Sequence, residues 1–254
     1  MQPSKKLFIG IDPTAGRQPF TYAAVDRDCR LVALAGGELE EMLAFLGNLE
    51  NACVAVNAPP QVNRGLVRSR LLQQAPSTGQ LRGVDLRLVE HDLRQRGIHI
   101  SPTPSRPEAC PAWMQMGFAL YRRLAEIGFQ PFRTGQAGCR WLETHPHAAY
   151  CALLGQIPLP KPTLEGRLQR QLALFEGDMG IKDPMDLFEE ITRHKLLKGI
   201  LPSDLIYSPE ELDTLVAAFT AFLAVEMPEA TIRVGDEEEG QIVLPVAALK
   251  DQYA

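Results

Sequence analysis

Three stretches of the chain place acidic groups where apolar neighbours make them expensive to keep. Asp12 closes the run Phe8-Ile9-Gly10-Ile11-Asp12 and opens the turn Pro13-Thr14-Ala15-Gly16. A carboxylate at the end of an apolar strand loses hydration, and a bound metal ion is a common compensation. The plainer role is capping of its own turn through the N–H groups of Thr14 or Ala15. Glu210 and Asp213 stand at i and i+3 of a helical pattern, so one flank presents both and can share a divalent cation. Glu210 also has an ordinary reason to be there, since a first-turn Glu after Ser208-Pro209 answers the helix dipole. Asp213 lacks that excuse: Asp is a poor helix former, and this one borders Leu212 and Leu215. In Glu143-Thr144-His145-Pro146-His147 the Glu is a strand-end carboxylate. Glu143, His145 and His147 would share a face of an extended strand, but Pro146 interrupts it, so the histidines are read as helix-capping or solvated rather than as zinc ligands.

Cations stand nearby in sequence. Lys161 and Arg167, within Lys161-Pro162-x-x-x-Gly166-Arg167, together with Arg94, can hold phosphate oxygens, although basic helical stretches more often form solvated faces. The chain contains no G-x-x-x-x-G-K-[ST], G-x-G-x-x-G or G-x-S-x-G, which removes the main support for P-loop, dinucleotide-binding and α/β-hydrolase readings.

The elements that must position these groups follow from periodicity. Residues 7–11, 21–25 and 30–34 read as an antiparallel meander, and Leu39, Met42, Leu43 and Leu46 give the stripe of a helix over 38–48. Strand character returns at 53–56 and stops at Asn57-Ala58-Pro59-Pro60. The order βββαβ sets the first and fourth strands side by side in parallel, with Asp12 and Asn57 at one sheet edge. Further on, helices are predicted over 84–96, 112–127, 146–154, 163–175 and 184–197, a strand over 139–143, and a proline-rich loop over 101–111. The strongest helix pattern covers 209–225, with Ser208 as N-cap, Pro209 at the first helical position and Glu211 at the third. Residues 231–234 and 241–246 read as a hairpin across the acidic turn 236–239.

Composition bounds the rest. The 254 residues carry 26 Lys+Arg against 31 Asp+Glu, a net charge of −5, with 45% hydrophobic residues, which allows one large domain or one and a half; a single domain over 1–254 is expected. Five scattered Cys without a C-x-x-C argue against a disulfide framework or structural zinc. The absence of a long apolar run predicts a soluble, cytoplasmic protein with no membrane association. Its acidic balance leaves room only for a local nucleic-acid patch, with salt-sensitive binding.

Taken in order, Phe8-Ile9-Gly10-Ile11-Asp12, Val54-Ala55-Val56-Asn57-Ala58-Pro59, Arg87-x-x-Glu90-x-x-Leu93-Arg94, Met116-Gly117-Phe118, Glu143-x-x-Pro146, Lys161 with Gly166-Arg167, and Glu210-x-x-Asp213-x-x-x-Ala217 resemble the predicted RNase H-like nuclease family catalogued as domain of unknown function 429. The resemblance covers about residues 6 to 226. It implies an α/β ribonuclease H-like mixed sheet with a βββαβ core, helices on both faces, a helical insertion at about 61–138 and a C-terminal hairpin at 229–246. It further implies a Mg²⁺- or Mn²⁺-dependent phosphodiester hydrolase acting on nucleic acid. In that expectation Asp12, Glu143 and Asp213 are catalytic, Glu210 and Asn57 are additional metal ligands, and Lys161, Arg167 and Arg94 hold phosphate. One position departs from the pattern: the family resembles I-D-A-P where this chain has Val56-Asn57-Ala58-Pro59, and Asn offers a neutral oxygen without charge. Two competing expectations follow, an inactive binding or scaffold protein that keeps the fold, and a phosphotransferase of the actin and sugar-kinase type. The latter superfamily needs two such domains, and this chain shows one βββαβ signature.

Overall fold

The computed structural model describes residues 6–16, 19–74 and 85–254. Strand β1 (Leu7–Pro13) is buried along its whole length, as an apolar run flanked on both sides by other strands must be. It pairs antiparallel with β2 (Phe20–Val25), which pairs antiparallel with β3 (Leu31–Gly37). Helix α1 (Leu39–Gly47) buries Met42, Leu43 and Leu46, the predicted stripe, and returns the chain to β4 (Ala52–Val56), parallel to β1. The middle of the chain supplies α2 (Leu66–Gln74), α3 (Leu88–Gln95), α4 (Ala112–Glu126), the short β5 (Gln130–Pro131) and β6 (Arg140–Glu143). Then come α5 (Pro146–Leu154), α6 (Leu164–Phe175), α7 (Asp186–Glu190), α8 (Arg193–Leu197), α9 (Pro209–Glu226), β7 (Ile232–Asp236) and β8 (Gly240–Leu244).

Among the described residues eight strands form one mixed sheet, ordered β3-β2-β1-β4-β6-β8-β7, with β5 paired to β6 off this path. The expected α/β class and βββαβ order hold, and helices cover both faces. On one face α3, α5, α6 and α9 share a core with Phe8, Ala55 and Leu142, α9 lying against β1, β2 and β4 and α3 against β7 and β8; on the other, α1 and α4 share a core with Ile9, Ile11, Val54 and Val56. The C-terminal hairpin joins the sheet itself, because β8 runs parallel to β6 where Glu143 faces Ile242. Helix 184–197 of the sequence reading divides in two, since Ile191 is extended and the Thr192 hydroxyl caps a new start at Lys195 N–H. Among the described residues no helix is long and apolar enough to cross a membrane.

Two glycines set how closely helices approach the site. A Cβ on Gly10 would lie 1.9 Å from the Thr214 carbonyl oxygen, so α9 crosses β1 at van der Waals contact only because that residue lacks a side chain. A Cβ on Gly166 would lie 2.0 Å from the Pro160 carbonyl oxygen, so the segment carrying Lys161 lies directly against the start of α6.

Candidate active site

The parallel register ends with Ile11 opposite Val56 and Val56 opposite Glu143, so the residues at the strand ends share one edge. The Asn57 N–H donates to the Ile11 carbonyl at 2.9 Å and the Thr144 N–H to the Val56 carbonyl at 3.0 Å, which carries the ladder one step past each strand. Helix α9 crosses β1 two residues before Asp12, at Gly10, and brings Asp213 to the same edge. The result is a cavity of about 470 Å³ whose wall includes Asp12, Asn57, Glu143, Lys161, Glu210 and Asp213. The proline-rich loop contributes Ser101 and Thr103, and α4 contributes Trp113 and Met114.

Asp12 is 6% exposed and Asp213 7%. The Asn57 side-chain amide donates to Oδ1 of Asp12 at 2.7 Å, as the parallel pairing requires. Burial raises the Asp12 carboxyl to about 7, and the nearby Asp213 and Glu210 charges add to the rise against the opposing Asn57 hydrogen bond and Lys161 charge. Burial also raises Asp213, while Lys161 pulls it back through a 2.5 Å bond from Nζ to Oδ2. For Lys161 itself burial disfavours the charge, but Asp213, Asp12 and Glu210 outweigh it, and the ammonium is held above its ordinary value. At neutral pH the site therefore holds a proton on part of the Asp12 population, while Asp213 sits against the Lys161 ammonium. Glu210 is exposed in the first turn of α9 and reaches the cavity rim.

Glu143 has a partner that its sequence neighbourhood did not announce. Arg87 holds it bidentately, Nη1 to Oε2 at 3.0 Å and Nη2 to Oε1 at 2.5 Å, and the same guanidinium donates from Nε to Glu90 at 2.8 Å. Burial works against the Arg87 charge, yet Glu143 and Glu90 more than offset it and the guanidinium is held above its ordinary value. Burial lifts Glu143 as well, but the fork geometry marks an ionised pair. Glu90 is filled further by the N–H and hydroxyl of Thr103, which ties the proline-rich loop to the cavity wall.

The remaining expected residues separate. Arg94 donates twice to the Ile100 carbonyl and does not line the cavity, and neither does Arg167 on α6. Arg170, the next basic residue of α6, does line it and braces the Lys161 segment through the carbonyls of Leu159 and Gly166. His145 caps α5 by accepting from the Ala148 N–H at 3.3 Å. Burial, with His147 nearby, lowers it to about 3, so it is a neutral cap.

For a divalent cation the protein supplies few donors. Among the described residues no group of three His, Cys, Asp or Glu has the arrangement to hold a metal ion. Two buried carboxylates and one amide fit a cation that retains water and takes its other oxygens from substrate, the habit of Mg²⁺, and do not fit a cage built from protein alone.

Over residues 10–239 the sequence matches the model of a family described as a protein of unknown function, DUF429, and the chain belongs to that family. No curated protein and no solved structure matches it.

Proposed function

We propose that this DUF429 protein is a divalent-cation-dependent phosphodiester hydrolase of ribonuclease H-like type, acting on nucleic acid. The observation that supports it is the burial of Asp12 and Asp213 together in one cavity with Glu210 at the rim: burial first, and the neighbouring Asp213 and Glu210 charges after it, raise Asp12 to about 7. A buried pair of like charges costs stability in the free protein and gives it back as cation affinity. Asp12 and Asp213, with the Asn57 amide beside them, would hold Mg²⁺ or Mn²⁺. Bound there, the cation would supply an activated water and neutralise the leaving oxygen.

The chain's own groups have distinct parts in this reading. Asn57 occupies Oδ1 of Asp12 and leaves Oδ2 as the oxygen that exchanges a proton near neutral pH. Lys161, partly exposed at the cavity, leaves Asp213 for a substrate phosphate oxygen. Arg87 ties Glu143 and Glu90 into a buried ion-paired wall, and Glu143 reaches a cation only by releasing Arg87.

The test is cleavage of end-labelled RNA, single-stranded DNA and branched DNA with Mn²⁺, by wild type and by Asp12→Asn and Asp213→Asn. The expected result is cation-dependent cleavage of one of the three, reduced at least about 100-fold in either variant. No turnover of any substrate, with no heat of Mn²⁺ binding, overturns the proposal. A binding protein without chemistry is favoured by one feature, the Lys161 ammonium that already neutralises Asp213 beside a neutral Asn57. Oligonucleotide binding that depends on Lys161 but never leads to cleavage would select that reading.

A further inference from the structure

A second cavity, of about 860 Å³, opens on the other side of Glu143. It exists because β6 forks. The strand pairs with β5 at Arg140 and Trp141, with the Phe132 N–H donating to the Trp141 carbonyl at 2.7 Å, and meets β8 only where Glu143 faces Ile242. The wedge between these neighbours is lined by three half-buried rings, Phe118, Phe132 and Trp141, and by three arginines, Arg122, Arg133 and Arg233.

Among the described residues none of the three arginines makes an ion pair. Arg233 stacks its guanidinium 5.0 Å over the Phe132 ring and donates to the Thr134 hydroxyl, which fixes its plane without neutralising it. Among the described residues of the lining Glu237 is the one carboxylate without an ion pair, so cations prevail. The buried indole N–H of Trp141 also finds no acceptor among the described residues, although buried donors are nearly always satisfied.

Flat π-faces beside unpaired guanidiniums suit a ligand with a planar aromatic part and an anionic part, and the volume is that of a small-molecule site. We propose that this second cavity is a nucleotide subsite, with a base against the Phe132 and Trp141 rings and a phosphate against Arg122, Arg133 and Arg233. The choice of a nucleotide over other anionic aromatics rests on the hydrolase reading of the neighbouring cavity. Glu143 lines both cavities, so the two adjoin at that residue.

The two tryptophans separate the cavities, since Trp113 lines the first and Trp141 the second. In Trp113→Phe, AMP is expected to quench the remaining indole saturably. Adenosine and inorganic phosphate, each lacking one half of the ligand, should bind at least about ten-fold more weakly, and Arg133→Ala with Arg233→Ala should weaken AMP by a similar factor. Calorimetry of AMP on otherwise wild-type protein, with and without the arginine pair, gives the same comparison without the reporter substitution. Absence of AMP binding at millimolar concentration overturns the subsite, as does equal binding by the arginine variant or a response only from Trp113 in Trp141→Phe. Binding at Trp141 in a protein that cleaves nothing keeps the subsite and removes the hydrolase; cleavage without that binding removes the subsite alone.

Discussion

Replacing Asp12 by Asn tests the electrostatics of the site before any substrate is known. Asp12 is buried and its carboxyl stands at about 7 against an ordinary 3.8, a difference of about 4 kcal/mol against the ionised form. The folded protein therefore holds a proton that the unfolded chain releases above about pH 4. Between about pH 4 and 7 the unfolded state binds fewer protons, so rising pH removes stability across this window and the loss levels off above it. Asn has the same shape, keeps an oxygen for the Asn57 amide to donate to, and never ionises. It also removes the repulsion between Asp12 and Asp213. Asp12→Asn is thus expected to stabilise the protein at pH 8 by about 2 to 4 kcal/mol, or roughly 5 to 10 °C in Tm, and to change it by less than about 1 kcal/mol at pH 4. Urea unfolding of both proteins at half-unit steps from pH 4 to 8 measures the difference directly. A variant less stable than wild type at pH 8, or a difference that does not grow with pH, would refute the reasoning.

Other perturbations probe the surroundings. Asn57→Asp adds a third carboxylate beside Asp12; without cation it should lower stability by about 1 to 2 kcal/mol, and Mn²⁺ should restore the loss in proportion to its concentration above Kd, which thermal melts with and without Mn²⁺ check. Lys161→Met removes the ammonium from Asp213, so calorimetry should show tighter Mn²⁺ binding while nucleic-acid affinity falls. Arg87→Met leaves Glu143 and Glu90 buried without their partner and should cost about 3 to 5 kcal/mol in urea unfolding, against less than about 1 for the exposed ion-pair variant Arg70→Met. Gly10→Ala should cost at least about 3 kcal/mol, because backbone of α9 fills the space; Gly47→Ala, at the end of α1 with open space around it, should be neutral or stabilising by about 0.5 kcal/mol.

Where neighbours in sequence are also neighbours in space, the chain announced its structure. The α9 stripe, the Ser208 capping box and the Pro146 start of α5 all stand within one turn of the residues they organise. The adjacency of Asp12 and Asn57 followed from one deduction, the parallel pairing that βββαβ imposes. Partners set by tertiary contact left no such trace. Glu143 looked like a free strand-end carboxylate because Arg87 lies 56 residues away, and a guanidinium's burial is not written in its own neighbourhood. The acidic turn 236–239 gave no sign in sequence of an internal role, yet Glu239 is fully buried and accepts from the N–H groups of Arg64 and Leu88, fastening α3 to the hairpin. The fork at β6 was hidden for a related reason: β5 has two residues, too few for a period, and the meeting of β6 with β8 is a single pair.

The central claim is that Asp12 and Asp213 are the two protein carboxylates of a divalent-cation site. Anomalous scattering at the manganese edge from crystals soaked in MnCl₂ above pH 7 tests it most directly. A peak between the two carboxylates, with Lys161 moved off Asp213 and Arg87 still on Glu143, is the result this account predicts. No peak at saturating Mn²⁺, with the Lys161 ammonium still bonded to Asp213, would contradict it.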